Sequence, residues 1–124
     1  MQLYNIQWLV IFSVFAFDAV SVPGPPSSVY FPYVSEFSAR IAWRDPREPN
    51  GVVVGYRVTY GLDFSPTSSD DSLSASRRDY QVTGLKAFRF YQFAVTARTQ
   101  SGWGAEESVV VYTAYDRSES AHLE

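Results

Sequence analysis

The chain has 124 residues, which predicts one domain and excludes a second folded unit of ordinary size. Hydrophobic residues make up 46% and charged residues 19%, so the chain as a whole is neither disordered nor fibrous, while the aromatic share of 17% is unusually high. Because the chain has no cysteine and a formal net charge of -3, we expect no disulfide scaffold, no thiolate zinc site and no electropositive surface for a nucleic-acid partner.

The first 21 residues contain an almost unbroken apolar run at residues 8–17. A helix of that length covers about 15 Å, half the roughly 30 Å core of a bilayer, so the run is too short to span a membrane. Ala19 and Ser21 place small residues at the -3 and -1 positions of a cleavage site before Val22, which is typical of a secretory signal peptide. No Lys or Arg precedes the run. The alternative is a strand or a lead that stays attached.

From Val22 onward, short stretches of alternating apolar and polar residues are separated by turn residues. Residues 22–26 are rich in proline and predict an extended lead at a sheet edge. We expect a first strand around Val29 and Phe31 that Pro32 interrupts. In the second strand one face is predicted to be inward and the other outward, the inward set being Phe37, Ala39, Ile41 and Trp43 and the outward set Ser38, Arg40, Ala42 and Arg44.

The middle of the chain predicts a turn, a strand and a loop. Asn50-Gly51 is a strong turn signal, because both residue types accept positive φ. The next strand has Tyr56, Val58 and Tyr60 on one face. Residues 65–72 are polar and indicate a loop, in which any strand is short and irregular.

The last third contains the longest alternation. The predicted inward residues are Tyr91, Phe93, Val95 and Ala97, and the outward ones are Gln92, Ala94, Thr96 and Arg98. Residues 101–104 predict a tight loop with Trp103 at its tip, and residues 109–113 a final strand.

Six or seven short strands at this spacing, without intervening helices, predict an all-β sandwich. Trp43 has the area to fill the centre between the two sheets, and its indole N–H then needs a partner or an edge position. Tyr91 comes six residues after Leu85, the placement of a tyrosine corner whose hydroxyl bonds back to the backbone near residues 85–87.

In order and spacing, these residues resemble a fibronectin type III domain. The resemblance rests on Trp43 closing the second strand, on residues 55–60 (Gly-Tyr-Arg-Val-Thr-Tyr), on Tyr80-x-Val82-x-x-Leu85 and on Tyr91-x-Phe93-x-Val95-x-Ala97. It covers roughly residues 22–113 and implies an all-β fold, a seven-stranded antiparallel immunoglobulin-like sandwich. We therefore divide the chain into a signal peptide at 1–21, a fibronectin type III domain at 22–115 and a polar tail at 116–124.

No catalytic motif is found in the sequence. It lacks a nucleophile elbow, a phosphate loop and a zinc-protease motif, and its one histidine, His122, lies in the polar tail. Asp70-Asp71 lacks the spaced oxygen ligands of a calcium loop and is interpreted as solvated. We expect a protein that is not an enzyme and that has no cofactor and no metal.

Surface aromatic residues are the remaining candidates for function. Phe88 and Phe90 are out of phase with the inward Tyr91, and Tyr112 in the last strand is a further candidate. Together with Arg89 and Trp103 they have the aromatic and arginine composition that is typical of interface hot spots. The alternative is local packing, with the phenylalanines under the strand connection and Trp103 folded over its own sheet edge.

The resemblance implies a non-catalytic extracellular module of a cell-surface receptor or cell-adhesion protein that binds a protein partner, homophilic or a neighbouring domain. It predicts neither a nucleic-acid partner nor direct membrane insertion of the mature domain. Three alternatives stay open: a passive spacer, an intracellular muscle-type module if residues 1–21 are retained, and a carbohydrate-binding module.

Overall fold

The computed structural model describes residues 22–114, so the predicted signal peptide and the polar tail lie outside the described residues. Within them the chain forms seven β-strands and no helix. The strands are β1 (Ser27–Val34), β2 (Ser38–Arg44), β3 (Gly55–Leu62), β4 (Ser68–Ser74), β5 (Asp79–Thr83), β6 (Phe90–Thr99) and β7 (Gly102–Tyr112).

The seven strands form two antiparallel sheets, one in the order β1-β2-β5 and the other in the order β4-β3-β6-β7. Antiparallel pairing suits this chain because its connections are short turns, with no crossover long enough to return a strand in parallel. The prediction of a seven-stranded all-β sandwich is confirmed.

The core lies between the inward faces of the two sheets. The alternation predicted for β6 is confirmed, since Tyr91, Phe93, Val95 and Ala97 are all buried. Phe93 lies at the centre of the ring contacts, with the Phe31 ring edge-on at 5.2 Å and the Tyr60 ring stacked at 5.3 Å between centroids. Burial of this apolar area supplies most of the stability, because no cysteine is available for a cross-link.

The predicted faces are wrong at four positions. Ala42, Ala94 and Thr96 are predicted to face outward but are buried, because short side chains on the central strands β2 and β6 are covered by longer neighbours from both sides. Phe37 is predicted to face inward but is 58% exposed. β2 begins only at Ser38, after a turn closed by the Ser35 N–H donating to the Ser38 carbonyl at 2.9 Å, so the alternation does not extend back to Phe37.

Two strand predictions also need correction. β1 continues past Pro32 to Val34. Proline has no backbone N–H to donate, but β1 is an edge strand and its pairing with β2 shifts register beside Pro32, so the sheet requires no hydrogen bond from this position. The loop predicted at residues 65–72 is a strand from Ser68 onward. Its pairing with β3 has a register shift between Tyr56 and Val58, so the strand is irregular as expected.

The chain enters and leaves the sandwich at opposite ends. At the lower end, where β7 begins, the Pro23 carbonyl accepts a hydrogen bond from the Ala105 N–H at 3.2 Å. A Cβ at Gly104 would collide with that carbonyl, so the close approach of the two segments requires glycine. At the upper end, where β7 finishes, the last buried residue is Thr113.

Candidate protein-binding surface

The upper end is assembled by hydrogen bonds that join the two sheets. The Leu85 N–H donates to the Phe37 carbonyl at 2.9 Å, which fixes the turn before β2 against the segment after β5. The next N–H along, that of Lys86, donates to the Tyr91 hydroxyl at 2.8 Å. Tyr91 belongs to β6 in the other sheet, so this tyrosine ties the connection between sheets to the core.

Thr113 closes the same end. Its hydroxyl donates to the Lys86 carbonyl at 2.6 Å and accepts from the Arg89 N–H at 3.0 Å. Its backbone bonds to the same connection, because its carbonyl accepts from the Phe88 N–H at 2.6 Å and its N–H donates to the Arg89 carbonyl at 3.0 Å. The connection between β5 and β6 is therefore held closely against the end of β7.

The turn between β3 and β4 brings a further aromatic residue to this end. The Asp63 N–H donates to the Phe90 carbonyl at 2.9 Å. Asp63 and Phe64 both have positive φ, 51° and 65°, a conformation that is costly for phenylalanine and reverses the chain within two residues. Phe64 is left 59% exposed.

Every exposed phenylalanine among residues 22–114 lies at this upper end. With the neighbouring tyrosine they form what we call the upper patch: Phe37, Phe64, Phe88, Phe90 and Tyr112, whose exposed fractions are 58, 59, 54, 49 and 43%. The Phe90 and Tyr112 rings pack against each other at 4.8 Å between centroids. Of these five, the sequence alone indicated Phe88, Phe90 and Tyr112, and it missed Phe37 and Phe64.

Three charged residues lie close in the sequence to residues of the upper patch. Asp63 lies next to Phe64, and Arg89 lies between Phe88 and Phe90, with Lys86 close by. All three are exposed, and within residues 22–114 none of them forms an ion pair. One acidic and two basic side chains are thus exposed near the aromatic residues of this end.

Trp103 does not lie at a loop tip, so that placement is wrong. It belongs to β7, pairs with Arg98 in β6 and is half-buried. The guanidinium carbons of Arg57 and Arg98 lie 4.4 and 5.3 Å from its ring centroid, so two cations pack on one indole. This arrangement matches the alternative in which Trp103 folds over its own sheet.

Trp43 is 2% exposed, close to the Tyr56 ring at 5.5 Å between centroids. Among the described residues its indole Nε1 has no hydrogen-bond partner. The Tyr56 hydroxyl does have one, since it donates to the Asp45 carboxylate at 2.7 Å, and Arg78 pairs with the same oxygen at 2.6 Å. Burial, and after it the bond to Asp45, raises the pKa of Tyr56 well above its ordinary value.

The side chains of the upper patch are aromatic, and three exposed charged residues lie next to them in the sequence. In the part of the chain that the structure describes, no cluster of three or more His, Asp or Glu side chains is placed to hold a metal ion. The same part contains no helix able to cross a bilayer.

Comparisons with known proteins agree with the sandwich fold described above. The sequence pattern of the fibronectin type III domain matches residues 24–114. Protein sidekick-2 of Mus musculus is 42% identical over 95 residues, which cover 74% of this chain and 4% of that protein. Neural cell adhesion molecule L1 of Takifugu rubripes is 30% identical over 105 residues, 82% of this chain and 8% of that protein. The chain thus spans less than a tenth of these relatives.

Among solved structures, the crystal structure of domains A168–A170 from titin superimposes with a TM-score of 0.62 at 26% identity. The match covers 75% of this chain and 32% of the titin chain. The shared feature is the sandwich itself.

Proposed function

The chain belongs to the fibronectin type III family, and from this membership and the upper patch we propose that it is a non-catalytic, extracellular protein-binding module of a cell-adhesion protein. Its homology to a neural cell adhesion molecule supports the adhesion role. The signal-like pattern of residues 1–21 supports the extracellular setting.

The upper patch is the observation that carries this proposal. A phenylalanine or tyrosine side chain has about 150 to 250 Å² of surface, so five of them at about half exposure leave roughly 500 Å² of aromatic surface accessible in total at this end of the domain. Monomeric proteins rarely expose an apolar patch larger than a few hundred Å², and the largest one is often functional. Aromatic residues beside an arginine are also the composition of energetically dominant contacts in interfaces.

A binding experiment tests the proposal. The chain, tetramerised to increase avidity, is applied to an array of cell-surface ectodomains that includes the chain itself. We expect retention on at least one ectodomain, and at least about tenfold weaker retention for the double variant Phe88→Ser/Phe90→Ser.

Val52→Ser is the matched control, because Val52 is 80% exposed and lies outside the upper patch. Thermal unfolding of both variants confirms that each remains folded. Retention on no ectodomain, or equal retention by the double variant and the parent chain, would contradict the proposed function.

A further inference from the structure

We infer that Arg57 and Arg98, held on the ring of Trp103, form a binding site for an extended acidic segment of a protein partner. The site lies at the lower end of the sheet β4-β3-β6-β7, where β7 begins, and it shares no residue with the upper patch. Binding here is separate from the proposed function, which stands even if this site binds nothing.

Strand register brings the three side chains to one face of the sheet. Arg98 in β6 pairs with Trp103 in β7, and Arg57 in β3 pairs with Thr96, two residues before Arg98. Thr96 and Arg98 alternate with the core residues of β6, so they lie on the face that points away from the core. The two guanidinium carbons lie 4.4 and 5.3 Å from the centroid of the indole ring. They are therefore about 10 Å apart at most, close to the screening length in 0.1 M salt.

These two cations have no anionic partner in the part of the chain that the structure describes. Neither Arg57 nor Arg98 forms an ion pair within residues 22–114. The buried Nε of Arg57 also lacks a hydrogen-bond acceptor among these residues. Two like charges at this distance repel each other, and an unsatisfied buried N–H is unfavourable, so a bound anion stabilises the cluster.

Glu106 is close to the cluster but does not neutralise it. Glu106 and Arg57 pair with Thr96 from opposite sides, so two strand spacings, about 10 Å, separate their backbones. The Arg57 guanidinium packs on the Trp103 ring, and it makes no ion pair with Glu106. The Glu106 carboxylate repels a polyanion such as a sulfated polysaccharide, so a ligand with one or two carboxylates fits this surface better.

A guanidinium that is stacked on a ring keeps its hydrogen-bond donors. The ring covers one face of the planar group, whereas the five N–H donors lie in the plane and point outward from its edge. A carboxylate accepts two of these donors in parallel, which fixes its orientation as well as its position. Trp103 is thus a positioning residue, and the two arginines are the binding residues.

The separation of the two arginines indicates the form of the ligand. In an extended segment, side chains two residues apart lie on the same face at a spacing of roughly 7 Å. That spacing is within reach of two guanidinium groups about 10 Å apart or less. We therefore expect the partner segment to be extended and to carry Asp or Glu at alternate positions.

A peptide titration tests the site. The probe is the terminally blocked peptide Thr-Glu-Thr-Glu-Thr, and Thr-Gln-Thr-Gln-Thr is its matched control. Heteronuclear NMR of the isotope-labelled chain follows the indole N–H signal of Trp103 and the backbone signals of Arg57 and Arg98. We expect a dissociation constant on the order of 1 mM that increases with salt, because both ion pairs are exposed to solvent. Absence of shifts with the glutamate peptide, or equal shifts with the glutamine peptide, would overturn the inference.

Charge-matched variants show which arginines are used. Arg57→Gln/Arg98→Gln should bind the glutamate peptide at least about fivefold more weakly. Arg44→Gln/Arg89→Gln is the control, because it removes the same charge from two exposed positions outside the cluster, and it should bind like the parent chain. Arg57→Lys/Arg98→Lys keeps the charge but loses the planar group, so binding at least about threefold weaker is expected. If the lysine variant binds as tightly as the parent, the attraction is one of net charge and the inference is wrong.

Glu106→Gln provides a test that leaves the arginines and Trp103 in place. It removes the nearby negative charge, so the glutamate peptide should bind about twofold more tightly. Unchanged affinity would mean that the peptide binds elsewhere on the chain. If a sulfated oligosaccharide binds to the same two arginines more tightly than the peptide does, the ligand is a glycan and the protein segment is the wrong partner.

Discussion

The backbone N–H of Lys86 donates a hydrogen bond of 2.8 Å to the hydroxyl oxygen of Tyr91, five residues further along the chain. This bond joins the connection after β5 to the first inward residue of β6, and it is partly buried. An N–H at such a position loses its partner if the hydroxyl is removed, and water replaces it poorly.

We therefore expect Tyr91→Phe to lower the free energy of unfolding by about 1 to 3 kcal/mol, because the Lys86 N–H is left unsatisfied while the ring stays in place. Urea denaturation measures the change. Tyr33→Phe is the control, since Tyr33 is 47% exposed and its loss of a hydroxyl is expected to cost less than about 0.5 kcal/mol. Equal urea midpoints for Tyr91→Phe and the parent chain would show that the bond contributes nothing.

Thr113→Val removes one hydroxyl of nearly the same volume and breaks two strong hydrogen bonds, to the Lys86 carbonyl and from the Arg89 N–H. Thr113 is fully buried, so we expect a loss of about 1 to 3 kcal/mol in unfolding free energy. Thr113→Ser keeps the hydroxyl and serves as the comparison. The prediction fails if valine is tolerated as well as serine.

Trp103→Ala is expected to destabilise the domain. Two guanidinium groups pack on the indole, and each such contact contributes about 0.5 to 1 kcal/mol at an exposed site, so the loss is about 1 to 2 kcal/mol. A loss of about 1 kcal/mol lowers the melting temperature of a domain of this size by about 4 to 8 °C, which differential scanning calorimetry resolves. Trp103→Tyr keeps a ring and should lose less. If Trp103→Ala lowers the melting temperature by less than about two degrees, the structural role is contradicted and Trp103 becomes a candidate binding residue.

Alkaline pH is expected to lower the free energy of unfolding, in part through ionisation of the Tyr56 hydroxyl. Its pKa is raised in the folded state, above the value of 10.0 that the unfolded chain retains. The unfolded state therefore releases this proton first, so the contribution of Tyr56 is complete below pH 10 and is lost as the pH rises further. Tyr56→Phe should show a shallower loss of unfolding free energy between about pH 10 and 12. Parallel pH curves for the two proteins would contradict this.

Much of the fold is predictable from the sequence because burial in a sandwich repeats every second residue. The inward residues of β6 can be identified from alternation alone, since each of them packs in the same core. Alternation does not mark where a strand begins, and this is why it assigns Phe37 to the core although β2 starts after that residue.

Only part of the candidate surface can be predicted, because the sequence reveals strand phase but not turn conformation or contacts between distant residues. Phe88 and Phe90 can be recognised because they break the phase of β6. Phe64 comes after β3 in a turn with positive φ, a conformation that nothing in its side chain indicates. The packing of Arg57 on Trp103 joins residues that are far apart in the sequence, so the sequence alone leaves open whether Trp103 binds a partner or folds over its own sheet edge.

The positions of Pro23 and Thr113 determine how the domain responds to a mechanical load. The two residues lie at opposite ends of the sandwich, roughly 30 Å apart along β7. A force applied to the chain at these points acts along the strands, across hydrogen bonds that run perpendicular to them. The β1–β2 and β6–β7 bonds then share the load and are expected to break together, as one rupture in a single-molecule pulling experiment. A domain of this geometry transmits tension from its lower end to its upper end without being peeled open strand by strand.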